Sequence, residues 1–174
     1  PYLDKLGKQI AAKEVTLISS PLSEELVDGY RSTADGYIAK NMPLIENGEL
    51  KNFIVSRYGA ARTGLKRSDS DGGCYIMNGG DTSLSDIIKN TKKGLLMNRF
   101  SAGSPGVNGD VTGVAKNSFL IENGQIVGAV SETMFSGNLT EMLMNVKAIS
   151  SERINDGSCI LPWVDFGRVT VSGK

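Results

Sequence analysis

The 174-residue sequence contains no histidine and only two cysteines, Cys74 and Cys159. Without histidine, Ser-His-Asp and Cys-His catalytic arrangements are excluded, and so is every zinc site with a histidine ligand. Two cysteines are too few for a disulfide-rich scaffold or a four-cysteine zinc motif, and they are compatible with a reducing compartment. Any chemistry done by this chain alone would therefore rely on carboxylates, lysine or serine.

A surplus of charge is also missing, since 19 Lys and Arg residues balance 19 Asp and Glu residues. No long-range field draws the chain to nucleic acid or to an anionic membrane. No apolar run approaches the roughly 20 residues that cross a bilayer, and the first ten residues lack the apolar centre of a signal peptide. We expect a soluble, cytoplasmic protein that binds neither nucleic acid nor membrane. The start at Pro1 suggests a piece of a longer polypeptide.

Glycine is abundant, with 21 residues, and it separates short apolar segments along the chain. Two segments are nearly identical, Leu44–Leu50 and Leu120–Ile126, and each has Asn-Gly between apolar residues. Asn and Gly suit a type I′ turn because both of its central positions need positive φ. The sequence predicts antiparallel hairpins over 43–56 and 117–130, turning at Asn47-Gly48 and Asn123-Gly124.

Helical periodicity is clearest over 138–149, where Asn138 is placed to cap the helix. Its apolar residues recur on one face that we expect to point to the core: Leu139, Met142, Leu143 and Val146. A second helix is predicted over 83–93, with Ser83 as its cap and Gly94 as its stop. The segment from Leu3 to Ile10 has a weaker helical pattern.

The remaining segments favour strands and loops. We expect a strand over 15–18 and two closing strands over 160–164 and 169–171, and the polar, glycine-rich stretch 66–82 is predicted to be a mobile loop. Strands outnumber helices and do not alternate with them, which indicates an α+β fold. We expect a β-rich, largely antiparallel sheet with hairpins and a few amphipathic helices, in a single domain spanning 1–174.

Reactive groups give no active site by themselves. Lys116 near Ser118 could form a Ser-Lys dyad and Cys74 could be a nucleophile, but nothing in the sequence lowers the pKa of either group. Asp69–Gly73 has the alternating oxygen-bearing side chains of a calcium loop, but their spacing does not match the full pattern. The residues alone therefore identify no catalytic and no metal-binding residue.

The glycine-dense segment Gly103–Gly113 has little apolar content, and irregular segments of this kind are often functional. We hypothesise that 103–118 lines a groove for an extended peptide or for a partner subunit. Asp110 and Thr112 would orient the bound chain, the adjoining strand 117–122 would offer an edge, and Asn138 would cap the nearby helix. A solvated crossover loop remains the alternative.

Several stretches carry a family resemblance: Tyr2–Ile10, Ser56–Lys66, Leu84–Ile88, Gly94–Leu96, Gly109-Asp110, Phe119–Gly124, Ser136–Leu143 and Val169–Gly173. Together and in this order they resemble the TldD/PmbA family of metallopeptidases, also called the modulator of DNA gyrase family. The run Gly137–Leu143 is similar to the PmbA (TldE) branch. In the TldD branch an H-E-x-x-x-H motif and a later cysteine hold zinc, and Cys159 does not match that cysteine.

The resemblance implies the C-terminal domain of a PmbA/TldE-like subunit. Such a subunit would pair with a zinc-bearing TldD-like subunit, or with itself, in a cytoplasmic protease that acts on unfolded peptides. Zinc would be held by the partner or by an upstream segment, and this chain would hold no cofactor. Two alternatives stay open: a self-sufficient metallopeptidase with its ligands upstream of Pro1, and a non-enzymatic peptide- or protein-binding module.

Overall fold

The computed structural model describes residues 2–173, of which about 40% lie in strands and about 11% in helices. The strands are β1 Leu17–Ser19, β2 Met42–Glu46, β3 Glu49–Leu50, β4 Tyr75–Met77, β5 Lys93–Ala102, β6 Asp110–Glu122, β7 Gln125–Val130, β8 Met134–Asn138, β9 Ala148–Asn155, β10 Ile160–Asp165 and β11 Thr170–Ser172. The helices are α1 Arg57–Thr63, α2 Leu84–Lys89 and α3 Leu139–Met144. The predicted α+β, strand-rich class is confirmed.

The described residues form two compact units. The first unit comprises residues 2–80 and 152–163, and the second comprises residues 81–151 and 164–173. The expectation of a single domain over 1–174 stays a prediction.

Most of a six-stranded sheet with the order β3-β2-β1-β4-β10-β9 belongs to the first unit, while residues 148–151 of β9 and 164–165 of β10 are assigned to the second. The pairs β3–β2, β2–β1 and β1–β4 are antiparallel, whereas β4 and β10 are parallel. The hairpin at Asn47-Gly48 is confirmed, with φ of 50° and 78° at its two turn residues. Its return strand, however, ends at Leu50, so the predicted extension to residue 56 is wrong.

The predicted mobile loop 66–82 is wrong, because it contains β4, an interior strand of this sheet. Buried hydroxyl groups fix the segment before the strand. The Oγ atoms of Ser19 and Ser70 are 2.6 Å apart, and the Tyr30 hydroxyl lies 2.9 Å from Ser70 Oγ and donates to the carbonyl of Gly72 at 2.8 Å. A polar segment is thus ordered by internal hydrogen bonds, which its composition did not reveal.

The second unit has a five-stranded sheet in which β6 is central. β5 pairs antiparallel with one side of β6, while β8 and β7 pair antiparallel with successive parts of its other side. β11 follows outside β8. The hairpin between β6 and β7 turns at Asn123-Gly124 with φ of 50° and 79°, which confirms the second predicted hairpin.

The helices are shorter than the sequence predicts. α3 is capped by Asn138 but ends at Met144, and none of its residues is fully buried. Val146 lies beyond this helix, and Leu143 is half-buried. The predicted helix over 138–149 is therefore too long, because the chain re-extends into β9 from Ala148.

Other differences concern the chain ends and the remaining helices. The segment 3–10 forms turns and no helix, and α2 ends at Lys89, where Asn90 closes it. β10 runs through Pro162 without a break, and β9 and α1 had no sequence prediction. In the described part of the chain, no helix is both long and apolar enough to cross a membrane.

Candidate functional site

Asp110 and Thr112 lie at the start of β6 and not in an irregular segment. They are two positions apart in a strand, so both side chains point to one face of the sheet. Asp110 pairs with Asn138 of β8, and Thr112 pairs with Ser136. The structure therefore brings the three residues chosen from the sequence together, and the irregular part of 103–113 is limited to the connection before β6.

Asn138 joins this connection to the start of α3. Its Oδ1 accepts hydrogen bonds from the backbone N–H groups of Thr140 at 3.0 Å and Glu141 at 3.3 Å. Its Nδ2 donates to Asp110 Oδ1 at 2.9 Å and to the carbonyl of Asn108 at 3.0 Å. The Asn138 side chain thus accepts hydrogen bonds from two backbone N–H groups of the helix and holds the connection before β6 beside the helix.

Both carboxylate oxygens of Asp110 accept hydrogen bonds. Asn108 Nδ2 donates to Oδ2 at 2.6 Å, while Asn138 occupies Oδ1. The backbone of the connection is tied as well, since Gly106 N–H donates to the Asp110 carbonyl and Leu139 N–H donates to the Gly109 carbonyl, both at 2.8 Å. Asp110 is thereby held in place, and it organises the connection.

Thr112 remains exposed and belongs to a row of hydroxyl side chains. Ser136 lies directly opposite it on β8, and Thr170 of β11 lies opposite Ser136 on the other side. Directly opposed residues share one sheet face. Neither Ser136 nor Thr170 was singled out from the sequence, because their alignment depends on the pairing of strands distant in the chain.

The expectation that residues 117–122 offer a sheet edge is wrong. This part of β6 is hydrogen-bonded to β5 on one side and to β7 on the other. Among the described residues, the sheet ends instead at β5, at β11 and at β7, which pairs with β6 alone. In β5 the residues from Asn98 to Ala102 are exposed, and they lead directly into the connection at 103–109.

Zinc does not fit the residues that the structure describes. Over 2–173, no three His, Cys, Asp or Glu side chains lie close enough together to hold a metal ion. Cys74 is 5% exposed, and its Sγ donates to the carbonyl of Asp28 at 3.3 Å. Burial raises the pKa of the Cys74 thiol, and the charges of Asp28 and Cys159 act in the same direction. A raised pKa disfavours the thiolate that binds metal.

Comparison with known proteins places these observations in a family. The family model of the PmbA/TldA metallopeptidase C-terminal domain matches residues 1–173. The chain is 30% identical over 171 residues to the metalloprotease PmbA of Escherichia coli O157:H7, covering 92% of this chain and 37% of that protein. It is 28% identical over 176 residues to a metalloprotease of Methanocaldococcus jannaschii, covering 91% and 38% of the two chains.

Solved structures agree with the sequence relatives. The TldE structure from Thermococcus kodakarensis superposes with a TM-score of 0.84 at 26% identity, covering 99% of this chain and 43% of that one. A Bacteroides thetaiotaomicron protein designated as a modulator of DNA gyrase gives a TM-score of 0.88, again at 26% identity, with 99% and 40% covered. The chain spans about two fifths of the length of these relatives.

The predicted family is confirmed by the family model, which matches nearly every residue of the chain. The superposition on a solved structure of the Bacteroides thetaiotaomicron protein agrees with it. Because the family model covers far more than half of the sequence, the assignment does not depend on any single motif. The chain belongs to the PmbA/TldA metallopeptidase C-terminal domain family.

Proposed function

We propose that this chain is the non-catalytic C-terminal domain, 1–174, of a PmbA/TldE-like subunit in a zinc-dependent protease system that acts on unfolded peptides. Zinc and the catalytic residues belong to a TldD-like partner or to a segment upstream of Pro1. The protein works in the cytoplasm, without nucleic acid or membrane. The absence of histidine from the sequence supports this division of labour, because peptidase zinc sites rely on histidine ligands.

One observation carries the proposal for how the domain contributes: β5 ends the sheet, and its outer side is free of neighbouring strands in the described residues. An extended peptide, or a strand of the partner subunit, adds to such an edge through main-chain hydrogen bonds and needs no catalytic side chain. Residues 98–102 are exposed, and the chain leads from them through the connection to the hydrogen-bonded cluster of Asn108, Asp110 and Asn138. The cluster fixes the connection that follows β5, and Thr112 presents its hydroxyl on the neighbouring strand β6.

Two neighbouring proline variants, Ser101→Pro and Ala102→Pro, test the edge, because both residues lie in β5 and have small, exposed side chains. Successive N–H groups of a strand point to opposite sides, so one variant removes an N–H that faces β6 and the other removes an N–H at the free edge. Each variant is made in the full polypeptide that carries this chain and mixed with a TldD-like partner. The edge variant should keep its folding transition and lose complex formation or peptide cleavage by at least about tenfold.

The variant that lacks the N–H facing β6 is the matched control. It should destabilise the sheet because it loses a hydrogen bond between β5 and β6. If the stable variant forms the complex and supports cleavage as the wild type does, the β5 edge has no role in either step.

A second experiment addresses Asp110 and Thr112. Asp110→Ala should loosen the connection and weaken binding indirectly, whereas Thr112→Ala should leave the fold intact and reduce peptide or partner affinity alone. Full activity of both variants, with folding unchanged, would assign residues 103–118 to a structural connection.

The same polypeptide and TldD-like partner also distinguish two other functions. A self-sufficient metallopeptidase would cleave peptides without a partner and would carry zinc on its upstream segment. A binding module would capture unfolded peptide without any cleavage in the presence of a TldD-like subunit. The free β5 edge is compatible with both, so cleavage with and without the partner is the deciding measurement.

A further inference from the structure

A cavity in the second unit is open to solvent and is lined by both a cationic and an anionic side chain; Lys147 and Asn90 are exposed at its surface, and Asp165 is half-buried. Its volume is about 370 Å³, and its lining includes Lys147 and Asp165 together with the polar side chains of Thr82, Asn90 and Thr91. Ile87 and Ala148 add a small apolar wall. This volume lies at the small end of the range of ligand pockets, about 300–1,000 Å³.

The two charged residues lie side by side. The backbone N–H of Lys147, just before β9, donates to the carbonyl of Asp165 at the end of β10, at 2.8 Å. Opposite charges on neighbouring backbones commonly form an ion pair. Among the ion pairs of residues 2–173, however, none involves Lys147 or Asp165.

Gly167 holds the two side chains in this arrangement. Its N–H donates to Asp165 Oδ1 at 2.7 Å, which orients the carboxylate. A Cβ atom built on Gly167 would lie 3.4 Å from both Lys147 Cε and the Asn145 carbonyl oxygen, so the lysine stem passes directly over this glycine. Gly167 also has φ of 73°, a conformation that a side chain would strain.

The lining determines which ligand chemistry is acceptable. A simple anion such as phosphate would be repelled by Asp165, and a simple cation would be repelled by Lys147. A molecule with both an ammonium and a carboxylate group meets a partner for each charge, and the amide of Asn90 and the threonine hydroxyls supply neutral hydrogen bonds.

We propose that this cavity binds a small zwitterion, a free amino acid or a dipeptide, with the ligand carboxylate on Lys147 and the ligand ammonium on Asp165. The inference does not rest on the β5 edge or on a partner subunit, since all of the residues named belong to one unit.

The test uses the full polypeptide that carries this chain and L-alanyl-L-alanine as the probe, measured by equilibrium dialysis and calorimetry. We expect saturable binding of one dipeptide per chain with a Kd below about 1 mM. N-acetylated dipeptide, which lacks the ammonium, and dipeptide amide, which lacks the carboxylate, should each bind at least about tenfold more weakly. L-alanine is measured in the same way, and the absence of saturable binding of both L-alanyl-L-alanine and L-alanine up to about 10 mM would overturn the proposal.

Two conservative variants locate the site. Lys147→Met keeps the aliphatic stem over Gly167 but removes the charge, and Asp165→Asn keeps an oxygen that can accept from Gly167 N–H. Lys147→Met should no longer distinguish the dipeptide from its amide, and Asp165→Asn should no longer distinguish it from the acetylated form. The control is Lys89→Met, on α2 outside the lining, which should bind like the wild type. Unchanged selectivity in the two cavity variants would place any binding elsewhere and refute this site.

Discussion

At the scale of single residues, the Asn-Gly turns do more than reverse the chain. The N–H groups of Ile10 and Ala11 both donate to the Gly48 carbonyl, at 2.8 and 3.1 Å, so the segment before β1 lies against the turn. A Cβ atom on Gly48 would be 2.4 Å from the Ala11 carbonyl oxygen. Gly124 is covered in the same way, with the Lys89 carbonyl oxygen 2.5 Å from a Cβ atom placed there.

Gly48→Ala should therefore destabilise the protein by about 2–5 kcal/mol, from left-handed backbone strain plus the displacement of backbone that cannot move freely. The matched control is Gly36→Ala, since Gly36 has φ of 82° but a Cβ atom placed on it would meet no atom within 4 Å. Gly36→Ala should lower the free energy of unfolding only by the cost of the left-handed backbone, about 1–2 kcal/mol. Urea unfolding measures both, and equal losses would mean that the close approach at Gly48 contributes nothing.

The two cysteines should differ in reactivity. Cys74 is buried and its pKa is raised by burial, whereas Cys159 is half-exposed. A thiol reagent at mildly alkaline pH should modify Cys159 first and reach Cys74 only when the chain unfolds, because the thiolate is the reactive form. Cys159→Ser should abolish the fast phase. A fast phase that persists in this variant would contradict the burial of Cys74.

The raised pKa of Cys74 also predicts the sign of a pH effect. The folded chain holds the thiol proton more tightly than the unfolded chain, so this contribution to stability is complete below the unfolded pKa and is lost as pH rises through the folded pKa. The free energy of unfolding should fall more steeply at alkaline pH in the wild type than in Cys74→Ser. Parallel pH profiles of the two proteins would show that Cys74 makes no such contribution.

At the scale of secondary-structure elements, Asn138 does two tasks that can be separated. Asn138→Ala loses the cap of α3 and both Nδ2 hydrogen bonds, and we expect it to cost about 1–3 kcal/mol. Asn138→Asp keeps the acceptor for the cap but replaces the donor to Asp110 with a second carboxylate. If Asn138→Asp proved as stable as the wild type at neutral pH, the amide bonds to Asn108 and Asp110 would be unimportant.

The sequence predicted elements well where the information was local. Both Asn-Gly turns, the Ser83 and Asn138 caps and the confirmed strand near residue 17 follow from residues a few positions apart. Helix lengths were overestimated because apolar spacing continues past Met144, although strand pairing takes over from Ala148. β4 was missed because it is three residues long and because the segment before it is fixed at Ser70 by hydroxyl groups of Ser19 and Tyr30, far away in sequence.

The candidate site shows the same limit. The glycines around residue 110 correctly drew attention to Asp110, Thr112 and Asn138, which the structure places together. The hairpin that pairs β6 with β7 followed from the local turn, but the sequence could not tell that β5 would pair with the other side of β6 and that β8 would pair with its first part. Nor could it place Lys147 beside Asp165, because the hydrogen bond between their backbones depends on the pairing of β9 with β10, and β9 had no sequence prediction.

At the scale of the whole molecule, the question is which residues would hold the zinc of a protease that includes this domain. Family membership is established for this chain, which covers about two fifths of its relatives. Its histidine-free sequence and the buried, hydrogen-bonded Cys74 give zinc no suitable ligand set within residues 2–173. We therefore expect a metallopeptidase that includes this domain to take its metal from residues outside it.

The chain 1–174 by itself should thus bind no zinc stoichiometrically and should cleave no peptide. Elemental analysis after dialysis should find far less than about one zinc per chain. The full polypeptide, alone and with a TldD-like partner, provides the comparison. Zinc that appears only with the partner places the ligands there, and zinc in the polypeptide alone places them upstream of Pro1. About one zinc per chain in residues 1–174 would contradict the prediction, because it would require a ligand set built from carboxylates and Cys159 that the described residues do not bring together.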